Sequence, residues 1–204
     1  MSYKYSASTM AIERSILNFR NRINEPKARI LKRTFDFVLA LVMLLTIAPW
    51  LFTIVAIIIM IDSKGAPFFL QKRSGIDRKV FYLVKFRTMK PNKDANRLQV
   101  QENDQRITKV GKFLRKHHID ELPQAINVLM GDMSIVGPRP YMLRHDVELS
   151  RISANHKLRY QVKPGMTGLA QVRGYHGSIH TQQEYFERLN SDIEYMQNWS
   201  LYLD

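Results

Sequence analysis

The chain has 204 residues, enough for one domain and an appendage. It contains 31 Lys and Arg against 18 Asp and Glu, and its formal charge of +13 favours nucleic acid, anionic lipid or phosphorylated substrates as partners. It has no cysteine, which excludes a disulfide scaffold, a cysteine nucleophile and cysteine-based metal sites. The hydrophobic content of 45% excludes a disordered tail, and the mean hydropathy of −0.27 excludes a polytopic membrane protein but not a single membrane segment.

The N-terminal segment, residues 1–33, is basic. It carries eight Lys and Arg against two acidic residues, and its apolar residues recur at roughly helical spacing from Ile12 to Leu31. We interpret it as a basic amphipathic segment near a membrane surface, with a solvated linker as the alternative.

The next segment is strongly apolar, since residues 37–61 form a run of 25 residues without a charge. A straight helix of this length would reach about 37 Å, which exceeds a hydrocarbon core of roughly 30 Å. Pro49 lies at its centre, and Lys and Arg residues lie on both sides of the run. A proline kink and two basic flanks favour a re-entrant membrane helix over residues 34–62 that breaks at Ala48 and Pro49. The alternative is a kinked helix that crosses the membrane.

Residues 63–204 predict a soluble domain with a mixed α/β, helix-rich fold. Strand-like runs at 67–73 and 79–88 surround a turn at 74–78, which predicts a β-hairpin. We predict a polar loop at 91–105, helices at 107–117, 120–130, 141–160 and 181–199, a rigid turn at 137–140, and a short strand at 169–173.

Two neighbouring carboxylates stand out at the start of a predicted helix, Asp120 and Glu121. They fit ordinary helix capping, and in a helix they point about 100° apart, so they could not share one proton. They could instead hold Mg²⁺, or one could attack a substrate while the other binds the metal. P-loop, GxGxxG and GxSxG motifs are absent from the sequence, and His176 and His180 are interpreted as surface residues.

A group of cationic residues lies on predicted strands and turns rather than along helical faces. Its members are Arg73, Lys85, Arg87, Arg139 and Arg173. Arg139 stands between Pro138 and Pro140, so its backbone is restricted. Any one of them alone is an ordinary solvated charge. Together with two carboxylates they indicate a phosphate-bearing substrate and phosphoryl transfer.

Five ordered blocks make the sequence similar to a known family. They are residues 69–89, 106–115, 120–124 (DELPQ), 131–140 (GDMSIVGPRP) and 163–174 (KPGMTGLAQVRG). Over about residues 30–204 the chain resembles the bacterial sugar transferases, the monotopic phosphoglycosyl transferases that begin assembly of cell-surface glycans. Many relatives have serine before the broken-helix proline where this chain has Ala48.

The resemblance implies transfer of a sugar 1-phosphate from a UDP-sugar to polyprenol (undecaprenyl) phosphate, with release of UMP and a requirement for Mg²⁺. It implies that Asp120 is the nucleophile and forms a phosphosugar-aspartyl intermediate. It implies that Glu121 binds the metal or acts as a base. It also implies that Pro138, Arg139 and Pro140 help to recognise the nucleotide.

The resemblance also implies a location and partners. We expect residues 63–204 to be a cytosolic catalytic domain, with a re-entrant anchor at the cytoplasmic face of the bacterial inner membrane and contact with membrane lipids. We expect no nucleic acid as a partner, and a homo-oligomer stays open. The alternative function is an inactive, membrane-tethered basic scaffold that binds anionic lipid or nucleic acid.

Overall fold

A computed structural model describes residues 19–91 and 104–204. The helices are α1 Pro26–Thr46, α2 Ala48–Asp62, α3 Lys109–Lys116, α4 Gln124–Met130, α5 Leu143–Ile152, α6 Leu169–Val172 and α7 Gln182–Asn198. The strands are β1 Phe68–Ser74, β2 Val80–Phe86, β3 Ser134–Val136 and β4 Gly165–Thr167, and 3-10 helices occur at Arg22–Asn24, Ile76–Arg78, Ile119–Glu121 and Ala154–Gln161. The predicted helix-rich, mixed α/β fold is confirmed.

The predicted β-hairpin is formed by β1 and β2, which pair antiparallel. The register places Arg73 opposite Phe81 and Phe69 opposite Lys85, so these four side chains share one face of the hairpin. Phe81 is buried in the core on that face. The strand alternation that buries Phe81 therefore also carries Arg73 and Lys85 toward the interior of the domain.

The apolar run forms two helices, because the chain bends by 62° where α1 gives way to α2. Pro49 lies in the first turn of α2, where its missing N–H costs no helical hydrogen bond. In the described part of the chain, no single helix is long and apolar enough to cross a membrane, although the bent pair together meets those criteria. The bend lies at Ile47, directly before Ala48 and Pro49, and the path through a membrane stays a prediction.

Helix α1 is tied to the domain by buried polar contacts. The Asp36 carboxylate accepts hydrogen bonds from the Ser134 hydroxyl at 2.7 Å and from the Ile135 N–H at 2.9 Å. Arg33 donates to the carbonyls of Val128 and Leu129 at 2.6 and 2.9 Å, near the C-terminal end of α4. The start of the apolar helix pair is therefore positioned relative to α4 and β3.

The strand predicted at residues 169–173 is wrong, because these residues form the short helix α6. The strand comes earlier, at Gly165–Thr167, and it pairs parallel with Ser134–Val136. A Cβ on Gly165 would lie 2.1 Å from the backbone nitrogen of Gly137, so the close approach of these two backbone segments requires glycine at position 165. The extended residues of this region thus belong to β4, which pairs with β3, and helix α6 begins directly after them.

Two predicted helices are broken. Residues 120–130 divide into a 3-10 helix, Ile119–Glu121, and α4, while residues 141–160 divide into α5 and a 3-10 helix, Ala154–Gln161. Helices α3 and α7 fall within the predicted ranges 107–117 and 181–199. Most of the predicted loop 91–105 lies outside the described residues.

Candidate active site

A cavity of about 960 Å³ opens between the hairpin face, the 3-10 helix Ile119–Glu121, the proline-flanked Arg139 and the loop that precedes α7. Its lining includes most of the predicted site residues: Arg73, Lys85, Arg87, Asp120, Glu121, Arg139 and Pro140. Pro138 and Arg173 are not part of this lining. The fold therefore brings together residues that are separated by up to 67 positions in the sequence.

Glu121 is held between two cations. Its Oε1 accepts a hydrogen bond from Lys85 Nζ at 2.7 Å, and its two oxygens accept hydrogen bonds from Arg139 at 2.6 and 3.0 Å. Burial would raise the pKa of this carboxyl, but Lys85 and Arg139 outweigh that effect and hold it well below its usual range. Glu121 is therefore ionised at neutral pH with both oxygens accepting hydrogen bonds, which makes it a poor proton acceptor.

Asp120 has a different environment from its neighbour. It is 7% exposed, and no group in the described residues donates a hydrogen bond to its carboxylate. Burial raises its pKa, and the charges of Lys85 and Arg115 partly oppose that shift. His118 precedes the 3-10 helix in a left-handed conformation with φ of 55°, which turns the chain so that Asp120 faces the cavity. The carboxylate is thus poorly solvated, unpaired and open to a substrate.

The backbone around Arg139 is fixed through its carbonyls. The Pro138 carbonyl accepts from the Gly165 N–H at 3.0 Å, the Arg139 carbonyl from Arg159 at 2.6 Å, and the Pro140 carbonyl from Arg73 at 3.1 Å. The two prolines have no N–H to donate, and the carbonyls of all three residues accept hydrogen bonds from other parts of the fold. The result is a rigid peptide whose central guanidinium faces Glu121.

The two cations on the hairpin are buried beside this segment. Burial lowers the pKa of Lys85 to about 8, although the adjacent Glu121 opposes the shift. Burial and the nearby Arg139 lower the pKa of Arg73 to about 10. Arg73 also contacts the Gln71 side chain, and its Nε is buried without a partner. The region therefore holds more positive charge than Glu121 neutralises, as a phosphate-binding site requires.

Arg87 and Arg173 have partners away from the carboxylate pair. Arg87 donates to the carbonyls of Ser63 and Lys64 at 2.5 and 3.0 Å, so it holds the chain where it leaves α2. Arg173 forms a partly exposed ion pair with Glu194 at 2.6 Å. These contacts support structural roles, and substrate binding by either residue stays a prediction.

Some lining residues were not singled out by the sequence. Arg115, whose Nε donates to the Thr88 hydroxyl at 2.8 Å, lies beside Asp120. His176 and His180 are exposed, as predicted, but they lie in the wall of the cavity. A pair of histidines at a spacing of four in a polar loop carries no sequence signal for such a position.

The carboxylate pair offers few free ligands for Mg²⁺. Within residues 19–91 and 104–204 no cluster of three or more His, Asp and Glu could hold a metal unaided. Mg²⁺ sites in phosphoryl transfer commonly use one or two carboxylates together with substrate phosphates. A carboxylate offers about four lone-pair sites, of which three in Glu121 are occupied, while Asp120 is free. The pair therefore fits Mg²⁺ only in combination with phosphate oxygens.

The fold and the site place two carboxylates and several buried cations in one cavity of a domain that also carries an apolar helix pair. The sequence model of the bacterial sugar transferase family matches residues 27–204. The chain belongs to this family. The match includes both carboxylates, the proline-flanked arginine and the bent helix pair.

Individual relatives are similar over most of this chain. One is the UDP-glucose:undecaprenyl-phosphate glucose-1-phosphate transferase of Escherichia coli, 45% identical over 177 residues, which are 86% of this chain and 38% of the relative. The protein of that name from Caulobacter vibrioides is 44% identical over 85% of this chain and 65% of its own length. The exopolysaccharide production protein PSS of Rhizobium leguminosarum is 39% identical over 86% of this chain and 90% of its own length. The chain thus spans less than two thirds of the first two relatives.

Proposed function

We propose that this protein transfers a sugar 1-phosphate from a UDP-sugar to undecaprenyl phosphate and releases UMP, as the initiating step of a surface polysaccharide or glycoconjugate. The observation that carries the proposal is the unpaired Asp120 carboxylate beside Lys85 and Arg139 in one cavity. The names of the E. coli and C. vibrioides relatives supply the substrate classes.

In the first step an Asp120 oxygen attacks the phosphorus that bears the sugar. A bond forms between the carboxylate and phosphorus, the bond from phosphorus to the bridging oxygen breaks, and UMP leaves with that oxygen and its electron pair. In the second step an oxygen of undecaprenyl phosphate attacks the same phosphorus and Asp120 leaves as a carboxylate. Both nucleophiles are anions, so neither step needs a general base. The ion-paired state of Glu121 is compatible with this chemistry.

The cations stabilise the charge that shifts during these steps. Lys85 and Arg139 lie within hydrogen-bond distance of Glu121 and near Asp120, so they can contact the diphosphate of a substrate that reaches Asp120. Cations that are already fixed in place cost no reorganisation when charge develops on the transferred group. Glu121 orients Lys85 and Arg139, and its negative charge offsets the repulsion between them.

We also propose a requirement for Mg²⁺. Asp120 and the remaining lone-pair site of Glu121 would hold it together with phosphate oxygens. Bound there, the ion supplies positive charge that offsets the diphosphate.

The apolar helix pair is proposed to dip into the cytoplasmic face of the inner membrane and return. The 62° bend supports this path, as do apolar side chains on its surface, with Trp50 76% exposed and Ile61 81% exposed. Cysteine labels before residue 30 and after residue 64 should react from the same side of a sealed vesicle. Reaction from opposite sides would replace the re-entrant path with a crossing helix.

The activity is tested by measuring UMP release in nanodiscs that contain undecaprenyl phosphate and Mg²⁺. UDP-glucose is the first donor, followed by UDP-galactose and N-acetylated UDP-sugars. We expect sustained UMP release with at least one donor, and its loss on addition of EDTA. Binding of anionic vesicles or nucleic acid without UMP release from any donor would favour the scaffold alternative.

A further inference from the structure

Arg159 is a buried arginine outside the carboxylate pair. It lies in the 3-10 helix Ala154–Gln161 and is 7% exposed. Its Nε donates to the Asp192 carboxylate at 2.8 Å, and a terminal nitrogen donates to the Arg139 carbonyl at 2.6 Å. Its guanidinium also stacks over the Tyr141 ring, 4.1 Å from the centroid. The group is therefore held at three points, and one of them is the peptide of Arg139.

The contact with the Arg139 carbonyl has a particular consequence. The neighbouring Pro138 and Pro140 donate no backbone hydrogen bonds, and each of the three carbonyls of this segment accepts one from another part of the fold. Arg159 is the side chain that binds the carbonyl of Arg139 itself. Rotation of that peptide would swing the Arg139 guanidinium away from Glu121, which it now contacts at 2.6 and 3.0 Å.

Asp192 on α7 makes the position of Arg159 possible. A buried guanidinium needs an ionised partner, and Asp192 is 2% exposed and in direct contact with it. Removal of either member leaves an unpaired charge in the core. The Arg159–Asp192 ion pair thus connects α7 to the Arg139 peptide.

We propose that Arg159, held by Asp192, is a positioning residue for nucleotide-sugar binding: it fixes the Arg139 peptide so that the Arg139 guanidinium meets the diphosphate of the substrate. The proposal rests on the proposed function, in which Arg139 contacts the diphosphate. Arg159 itself acts only through Arg139.

A double-mutant cycle on the full chain in nanodiscs tests this role, with UDP as the probe and its Kd measured by calorimetry. Arg159→Lys keeps the charge near Asp192, but its donors lie on a single nitrogen and do not reproduce the two-nitrogen geometry by which the guanidinium reaches Asp192 and the Arg139 carbonyl. We expect Arg159→Lys to weaken UDP binding about tenfold in the natural background and less than twofold in an Arg139→Ala background. A merely structural role would give the same factor in both backgrounds. Arg144→Lys, in an exposed pair with Glu148, is the matched control and should leave the Kd unchanged.

Asp192→Asn is the second variant, for the case that Arg159→Lys does not fold. It retains an acceptor for Arg159 Nε, and its smaller effect on the UDP Kd should also disappear when Arg139 is alanine. Equal effects in both backgrounds would overturn the positioning role and leave the proposed function standing. A failure of the unaltered protein to bind UDP would overturn the proposed function itself.

Discussion

Arg139 and Glu121 form a two-point ion pair, with nitrogen–oxygen distances of 2.6 and 3.0 Å, in the wall of the cavity. Lys85 contacts the same carboxylate, so both oxygens of Glu121 accept hydrogen bonds from cations. Asp120, its neighbour in sequence, has no such partner in the described residues. Two adjacent carboxylates thus have different states, which suits one for orienting cations and the other for attack on phosphorus.

The first prediction concerns Asp120→Asn. The folded state raises the pKa of Asp120, so its ionised form costs stability at neutral pH, and removal of the charge relieves that cost. We expect an unchanged or higher Tm together with a loss of transfer of about 10³-fold or more. Asp77→Asn, in the exposed hairpin turn, is the control and should keep activity. A Tm that falls by several degrees would contradict the assigned environment of Asp120.

Glu121→Gln should impair both stability and activity. The amide keeps the size of the side chain but leaves Lys85 and Arg139 without a neutralising charge. Breaking a buried ion pair from one side costs about 3 kcal/mol of unfolding free energy. Since two cations lose their orientation, UMP release should fall by about 10²-fold or more. Denaturant unfolding beside the UMP assay checks both effects, and near-normal turnover would remove Glu121 from the proposed site.

The pH dependence of activity should report Lys85. Burial lowers the pKa of Lys85 to about 8, so its ammonium is charged below that pH and loses its proton above it. Because the charged form binds phosphate, kcat/KM for the UDP-sugar should decline as pH rises through about 8. Arginine stays protonated in this range, so Lys85→Arg should move the decline to higher pH. An identical decline in that variant would assign the titration to another group.

Arg87→Lys should mainly affect unfolding. The arginine donates to two carbonyls at the exit of α2, and a lysine ammonium cannot reproduce that fork. Leaving a buried acceptor unsatisfied costs about 1–3 kcal/mol, so the Tm should fall. The UDP Kd should change less than twofold. Weaker UDP binding at an unchanged Tm would instead support Arg87 as a substrate-binding residue.

Local signals predicted the parts of the fold that depend on neighbouring residues. The hairpin followed from two β-rich runs around a Gly-containing turn, and the bend at Pro49 followed from the chemistry of proline. The strand at 169–173 was wrong because β4 is defined by its pairing with Ser134–Val136, which lies about 30 residues earlier and leaves no local pattern.

The candidate site was predictable in composition but not in its internal contacts. The residue types that bind phosphate could be identified one by one, and most line a single cavity. The sequence could not show that Glu121 is neutralised while Asp120 is free, because Lys85 lies 36 positions away on β2. The role of Arg159 could not be predicted from its place in a predicted helix, because its partners Arg139 and Asp192 are 20 and 33 positions away in the sequence.

The most direct test of the account is intact-protein mass spectrometry after incubation with a UDP-sugar and Mg²⁺ in the absence of undecaprenyl phosphate. The account predicts one equivalent of UMP and a mass increase of one sugar phosphate, mapped by peptide analysis to Asp120 and absent from Asp120→Asn. Sustained transfer to undecaprenyl phosphate by Asp120→Asn, or turnover by the unaltered protein with no adduct under any quench, would contradict attack by Asp120.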